Sequence, residues 1–140
     1  MHSLSGGCHC GNLSIDLELS SDPGTYRPRV CDCDFCRRHG AAYLSDAEGS
    51  LRIRMKDEQV LSTYRQGSGQ AEFLLCKRCG VMIGVLYRNA GRVYAAVNTN
   101  AIDASVVFGS EQGVSPKTLS AEEKAGRWRE LWFSRVEGIA

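Results

Sequence analysis

The chain contains several short segments in which apolar and polar residues alternate, a pattern typical of strands with one buried face. The clearest segment runs from Asn12 to Leu19, where every second residue is leucine or isoleucine. The same alternation, or a short apolar run bounded by turn residues, predicts further strands at residues 26–30, 41–44, 51–56, 60–64, 71–75, 81–87 and 92–97. The pattern therefore predicts a mainly β fold, with the last two strands joined as a hairpin.

A helix is predicted near the C-terminus. Ser120 and Glu123 have the spacing of a capping box, in which each residue satisfies a free backbone N–H of the other, so we expect a helix over residues 121–131. Trp128 and Trp132 lie four residues apart on this helix and therefore on one face. We expect them to pack against the sheet rather than to bind a ligand.

Length and charge limit the classes of function. The 140 residues fit a single domain over residues 1–140. A formal net charge of +1 favours neither nucleic acid nor an anionic membrane as a partner. Residues 1–7 lack the basic start and apolar stretch of a secretory signal, and we expect His2 to lie in a frayed terminus. A cytoplasmic location is therefore expected, where clustered cysteines bind metal ions more often than they form disulfides.

Two of the cysteine pairs have the spacing of zinc-binding turns. Cys76 and Cys79 are separated by two residues and followed by glycine, and Cys8-His9-Cys10-Gly11 is a tighter version of the same turn. Each pair precedes a predicted strand, and if those two strands pair or neighbour each other, the four thiols meet. The result is a closed structural zinc site made of Cys8, Cys10, Cys76 and Cys79. The alternative is four unrelated buried or redox-active cysteines.

The remaining cysteines, Cys31, Cys33 and Cys36, lie within six residues. Three thiolates can hold one zinc ion and leave its fourth position open to water, a side chain or a substrate. An open position distinguishes catalytic from structural zinc. The alternatives are that the three cysteines bind no metal or that they oxidise.

Four polar residues are candidates around this second site. Arg37 and Arg38 follow directly and are expected to bind carboxylates of an incoming molecule or to be solvated. His39 is a possible fourth ligand, which would make the site purely structural. Asn98 follows an apolar strand and is either a turn residue or a residue lining the site.

The cysteine motifs also carry a family resemblance. The segments Gly7–Gly11, Cys31–Arg38, Cys76–Gly80 and Val97–Asp103 resemble, in this order, those of the glutathione-dependent formaldehyde-activating enzyme (GFA) family, also called the CENP-V/GFA family. The resemblance covers about residues 5–110, which leaves residues 111–140 as a C-terminal extension. It implies several small, coiled, mostly antiparallel sheets organised around two zinc ions per chain. It also implies that Cys31, Cys33 and Cys36 hold the catalytic zinc and that the other four cysteines hold the structural one.

The activity that the resemblance implies is that of a carbon–sulfur lyase joining glutathione, or a related small thiol, to an aldehyde such as formaldehyde. An open thiolate zinc suits this chemistry, because it can hold the substrate sulfur. Two other hypotheses remain open. The first is a binding module in which both metal sites are structural, and the second is a thiol redox or metal-handling protein whose middle cysteines cycle to a disulfide.

Overall fold

The computed structural model describes residues 1–139, in which β-strands are the main regular secondary structure. The strands, in chain order, are His2–Gly7 (β1), Leu13–Leu19 (β2), Arg29–Cys31 (β3), Ala42–Leu44 (β4), Ser50–Met55 (β5), Leu61–Tyr64 (β6), Ala71–Cys76 (β7), Met82–Asn89 (β8), Arg92–Asn98 (β9), Gln112–Val114 (β10) and Val136–Glu137 (β11). The two α-helices are Asp34–His39 (α1) and Ala121–Leu131 (α2). Within residues 1–139, neither helix has the length and apolar character needed to cross a membrane.

The strands form two sheets. One has four strands in the order β1-β2-β5-β11, and the other has seven in the order β10-β3-β4-β9-β8-β7-β6. Most neighbours are antiparallel, while β10 on β3 and β11 on β5 are parallel additions at sheet edges. The predicted mainly β fold with a short C-terminal helix is confirmed, although the strands gather into two sheets rather than several small ones.

The sheets pack face to face through the residues that the alternating pattern predicts to be buried. Leu13, Ile15, Leu17 and Leu19 of β2 are each at most 1% exposed and join one apolar core with residues of β8 and β9. Each such side chain contributes about 2 kcal/mol through the apolar surface that it removes from water. On β9, Ala95 and Val97 belong to this core, whereas Tyr94 and Ala96 belong to a second cluster on the opposite face.

The second face of the seven-stranded sheet is covered by α2. Ser120 and Glu123 form the predicted capping box, and the helix spans Ala121–Leu131 as expected. Its Trp128 ring lies 5.2 Å from the ring of Tyr87 on β8, so the expected packing of this helix on the sheet is confirmed.

Two expectations about the strands are wrong. The N-terminus is not frayed, because His2 lies in β1 and pairs with Leu19 of β2. The two strands that follow the cysteine pairs, β2 and β8, do not pair or neighbour each other in a sheet. In the seven-stranded sheet β8 lies between β7 and β9, and in the four-stranded sheet β2 lies between β1 and β5, so β2 and β8 belong to different sheets.

A close backbone contact links the N-terminal strand to the second sheet. Gly6 bridges to Ile102, just beyond the turn that follows β9. A Cβ atom at Gly6 would lie 2.0 Å from the carbonyl oxygen of Ala101, so only glycine permits this approach. The contact brings the end of β1, and with it the first cysteine pair, beside the seven-stranded sheet.

Candidate metal centres and the adjoining cavity

The first and last cysteine pairs meet in one cluster although their strands belong to different sheets. The sulfur atoms of Cys8, Cys10, Cys76 and Cys79 all lie within 4.8 Å of one another. The sulfur of Cys10 lies 3.5 Å from that of Cys76 and 3.7 Å from that of Cys8. A tetrahedral zinc ion with bonds of about 2.3 Å to sulfur places its ligands roughly 3.8 Å apart. The donor set therefore fits a four-coordinate thiolate metal site.

Tight turns position both pairs. The backbone N–H of Leu13 donates to the Cys8 sulfur at 3.3 Å, while the Cys8 N–H donates to the Leu13 carbonyl. Gly11 and Gly80, one residue after each pair, have φ values of 85° and 80°, a left-handed conformation that glycine adopts without strain. The chain can therefore reverse around the metal position in both turns.

Two thiols of this closed cluster, those of Cys76 and Cys79, differ in acidity. Burial opposes ionisation of Cys79, but backbone N–H groups of Val81 and Cys10 donate hydrogen bonds to its sulfur and lower its pKa to about 6. Burial raises the pKa of Cys76 to about 11. A bound cation would favour the thiolate form of all four.

The middle cysteines form a second cluster at the start of α1. Cys31 ends β3, Cys33 is the N-cap of the helix and Cys36 lies in its first turn, with all three sulfur atoms within 4.8 Å of one another. The Cys33 sulfur accepts the backbone N–H of Cys36 at 3.4 Å. Cys31 and Cys36 are 9% and 2% exposed, so the cluster lies below the surface. Within residues 1–139 the cluster holds three metal-binding side chains, and no fourth histidine, cysteine, aspartate or glutamate joins it.

In the three-cysteine cluster, Cys36 is a hydrogen-bond donor and Cys31 is its acceptor, and this shifts the pKa of each thiol. The thiol of Cys36 donates to Cys31 and lowers the pKa of Cys31 to about 6, against the effect of burial. The same hydrogen bond, together with burial, raises the pKa of Cys36. The hydroxyl oxygen of Tyr43 lies 3.1 Å from the Cys36 sulfur, and burial raises the pKa of this tyrosine, so it keeps its proton.

A cavity of about 310 Å³ opens beside the three thiols. Its wall combines aromatic and aliphatic side chains with cations. The wall includes Arg29, Tyr43, Gln66, Phe73, Val85, Lys117, Lys124, Arg127, Trp128 and Trp132, together with Cys31, Cys33 and Cys36. The three-cysteine cluster is thus accessible to a small molecule, whereas the four-cysteine cluster does not line this cavity.

The four polar candidates from the sequence lie elsewhere. The guanidinium of Arg37 lies 3.5 Å from the carboxylate of Asp34. Arg37 and Arg38 are both exposed, and neither lines the cavity. Their expected binding of substrate carboxylates therefore remains a prediction that the cavity wall does not support. The His39 ring packs 4.6 Å from Phe35 and is not part of the three-cysteine cluster.

Asn98 has a backbone role. Its amide donates to the Met82 carbonyl at 2.9 Å, and its side-chain oxygen accepts the N–H of Asn100. These bonds join β8 to the turn after β9. Asn98 is the last residue of β9 and caps the turn that follows, and it does not line the cavity.

Several residues of the cavity wall are not among the site residues predicted from the sequence. Arg29 lies two residues before Cys31 on β3, and period-2 alternation places the two on one face of the strand, a signal that was available. Trp128 and Trp132 pack on the sheet as expected but also line the cavity, with ring centroids 5.0 Å apart. Nothing in the sequence near Tyr43 or Gln66 indicates that they approach the thiols.

The fold and the two clusters define a thiol-rich β protein with one closed and one open candidate metal site. A family model described as glutathione-dependent formaldehyde-activating enzyme matches residues 3–120, and the chain belongs to this family. Among solved structures, it is similar to a crystal structure of a Rhodobacter sphaeroides protein. The two share 31% sequence identity with a TM-score of 0.54, over 71% of this chain and 88% of that one. The family resemblance noted from the cysteine motifs is therefore confirmed.

Proposed function

We propose that this protein is a zinc-dependent carbon–sulfur lyase that forms and cleaves the bond between a small thiol, such as glutathione, and an aldehyde. Membership of the GFA family supports the class of reaction. The observation that carries the proposal is the three-cysteine cluster, which meets a cavity and gains no fourth metal-binding side chain from the part of the chain that the structure describes. A closed site would have no position left for a substrate.

Both donor sets suit zinc in a reducing cytoplasm, where free cysteines persist. Cys8, Cys10, Cys76 and Cys79 would hold a structural ion. Cys31, Cys33 and Cys36 would hold an ion that, when bound, supplies positive charge to stabilise a substrate thiolate at neutral pH.

The chain's own residues would orient the reactants. In the direction of synthesis, the thiolate sulfur bonds to the aldehyde carbon, and the carbonyl oxygen takes up a proton to become a hydroxyl group. Tyr43 keeps its proton and lies in the cavity wall beside the Cys36 sulfur, so its one O–H can donate to that sulfur or, when a substrate is bound, to a substrate atom in this space. Phe73, Trp128 and Trp132 would exclude water from the reacting atoms.

Exchange spectroscopy by NMR, with ¹³C-formaldehyde, glutathione and zinc-loaded protein, tests the proposal. Adduct formation also proceeds without a catalyst, so the measured quantity is the exchange rate above that background. We expect this excess to vanish in Cys33→Ser, in which the serine oxygen can still accept the helix-capping hydrogen bond. Tyr43→Phe should lower it by about 100-fold, whereas the control Tyr94→Phe, a buried tyrosine outside the cavity wall, should not change it.

Equal exchange rates in Cys33→Ser and the wild type would refute the proposal. If no small thiol or aldehyde gives catalysed exchange, cobalt substitution tests the remaining alternative. A non-catalytic module with two structural metals predicts that added thiol leaves the cobalt spectrum unchanged.

A further inference from the structure

The cavity wall carries an excess of positive charge. Among residues 1–139, four cations line it, Arg29, Lys117, Lys124 and Arg127, and no aspartate or glutamate does. Lys117 lies 3.8 Å from the Asp32 carboxylate, but the other three form no ion pair with any residue from 1 to 139. Three thiolates on a divalent ion carry a formal charge of only −1, which does not neutralise this wall. The remaining positive charge of the wall suits an anionic ligand.

Arg29 has donors that the protein leaves free. One terminal nitrogen of its guanidinium donates to the Ser45 hydroxyl at 2.6 Å, which fixes the side chain in place. Within the described chain no acceptor meets its other N–H groups. Arg127 of α2 lines the same cavity and is not engaged by any carboxylate of residues 1–139. Guanidinium groups present paired N–H donors that match the two oxygens of a carboxylate.

The rest of the wall is apolar to a degree that neither formaldehyde nor glutathione requires. Trp128 and Trp132 stack with 23° between their rings, and Phe73 and Val85 lie in the same wall. Formaldehyde has a single carbon atom, and glutathione is a polar, charged tripeptide. Indole and phenyl faces instead favour an aromatic or branched apolar group, which gains both burial and stacking energy.

We propose that the ligand of this cavity is a carboxylate with an aromatic or branched apolar body, whose carboxylate binds Arg29 and Arg127 and whose body packs on Trp128 and Phe73. This deepens the proposed function by naming the class of thiol or aldehyde that the site accepts, and in that respect it rests on it. The binding itself requires only the cavity, so it can be measured without turnover.

Intrinsic fluorescence gives a direct readout, because the chain has two tryptophans and both line the cavity. The probe is 3-phenylpropanoate, titrated into the metal-loaded full chain. Its neutral analogue 3-phenylpropanamide lacks the charge, and propanoate lacks the ring. We expect 3-phenylpropanoate to change the fluorescence saturably and both analogues to bind at least about tenfold more weakly, the effect of losing one charge-assisted or stacking contact.

Arg127→Gln should weaken 3-phenylpropanoate binding by about tenfold or more. The matched control is Arg129→Gln, on the same helix and also exposed but outside the cavity wall, which should bind as the wild type does. Arg29→Lys keeps the positive charge but loses the paired N–H donors of the guanidinium group. It should also weaken 3-phenylpropanoate binding, which tests the second proposed carboxylate contact.

Equal affinity for the acid and the amide, or an unchanged affinity in Arg127→Gln, would overturn the proposal, as would equal binding of propanoate. The outcome is separable from that of the lyase test. Probe binding without catalysed thiol–aldehyde exchange would refute only the proposed reaction, whereas exchange without probe binding would refute only this ligand class.

Discussion

Replacing Cys76 by serine tests the role assigned to the closed cluster. Cys76 is 1% exposed and lies 66 residues from Cys10, its neighbour in the cluster, so a bound metal connects distant parts of the chain. The observed sulfur separations of 3.5 and 3.7 Å are already close to those of a tetrahedral site, so little rearrangement opposes binding. A metal present at a thousand times its dissociation constant stabilises the folded state by about 4 kcal/mol.

That free energy corresponds to a fall in melting temperature of roughly 10 to 15 °C for a chain of this size. Thermal unfolding followed by circular dichroism, together with elemental analysis of the bound metal, measures both consequences. Cys76→Ser should lose one metal ion per chain and unfold at the lower temperature. The matched variant Cys33→Ser should also lose one ion but show a smaller fall in melting temperature, because three ligands within six residues bind a metal less tightly than four and tie together less of the chain, and because serine is itself a good N-cap.

Two outcomes would refute the reasoning. The first is a Cys76→Ser protein that retains both metals and melts with the wild type. The second is a Cys33→Ser protein that is destabilised as much as Cys76→Ser, since the two clusters would then contribute equally to stability.

Two further substitutions test the supporting structure. Burial opposes ionisation of Asp46, but hydrogen bonds from Tyr26 and Ser20 outweigh it and hold the pKa of that carboxyl below its usual value. The ionised carboxylate therefore stabilises the folded protein above the pKa that Asp46 has in the unfolded chain. This stabilisation is lost as the pH falls through the lower pKa that Asp46 has in the folded protein. Asp46→Asn should therefore cost about 2 kcal/mol in urea unfolding at pH 7, and a difference that persists unchanged at acidic pH would contradict this. Ser120→Ala removes the cap of α2 and should cost about 1 kcal/mol, measured in the same assay, with faster amide hydrogen exchange in the helix. Exchange at the wild-type rate would contradict the role of the capping box.

Local patterns in the sequence predict the elements whose structure depends on neighbouring residues. The alternation of β2 identifies its buried face, and the capping box fixes the start of α2. The β8–β9 hairpin follows from the turn sequence Asn89-Ala90-Gly91, in which Gly91 adopts its positive φ without strain. Strand β1 escaped prediction because its sequence, rich in serine and glycine, has no alternation of its own, and its structure comes from pairing with β2.

The candidate site is predictable only in part, and for a physical reason. Cysteine spacing encodes which thiols share a turn, so each pair and the trio could be identified as units. The meeting of the two pairs depends on the packing of two sheets: β2 and β8 are not neighbouring strands, and yet the cysteine turns before them form the predicted cluster. The cavity wall combines β3, β4, β7, β8, the 66–68 turn and α2, a set of contacts that no local pattern contains.

Two parts of the chain contribute to the cavity: residues 3–120 contain the thiols, and the residues after 120 complete the wall. All seven cysteines lie within residues 3–120, where the family model matches. Lys124, Arg127, Trp128 and Trp132 lie beyond residue 120, in the segment that the cysteine motifs left as an extension, and yet they line the cavity. If the two proposals hold, the reaction is a property of the matched region, and α2 shares the choice of substrate with Arg29 and Phe73 of that region. Exchanging this helix between members of the family should then change which thiol or aldehyde is accepted while leaving the metal sites intact.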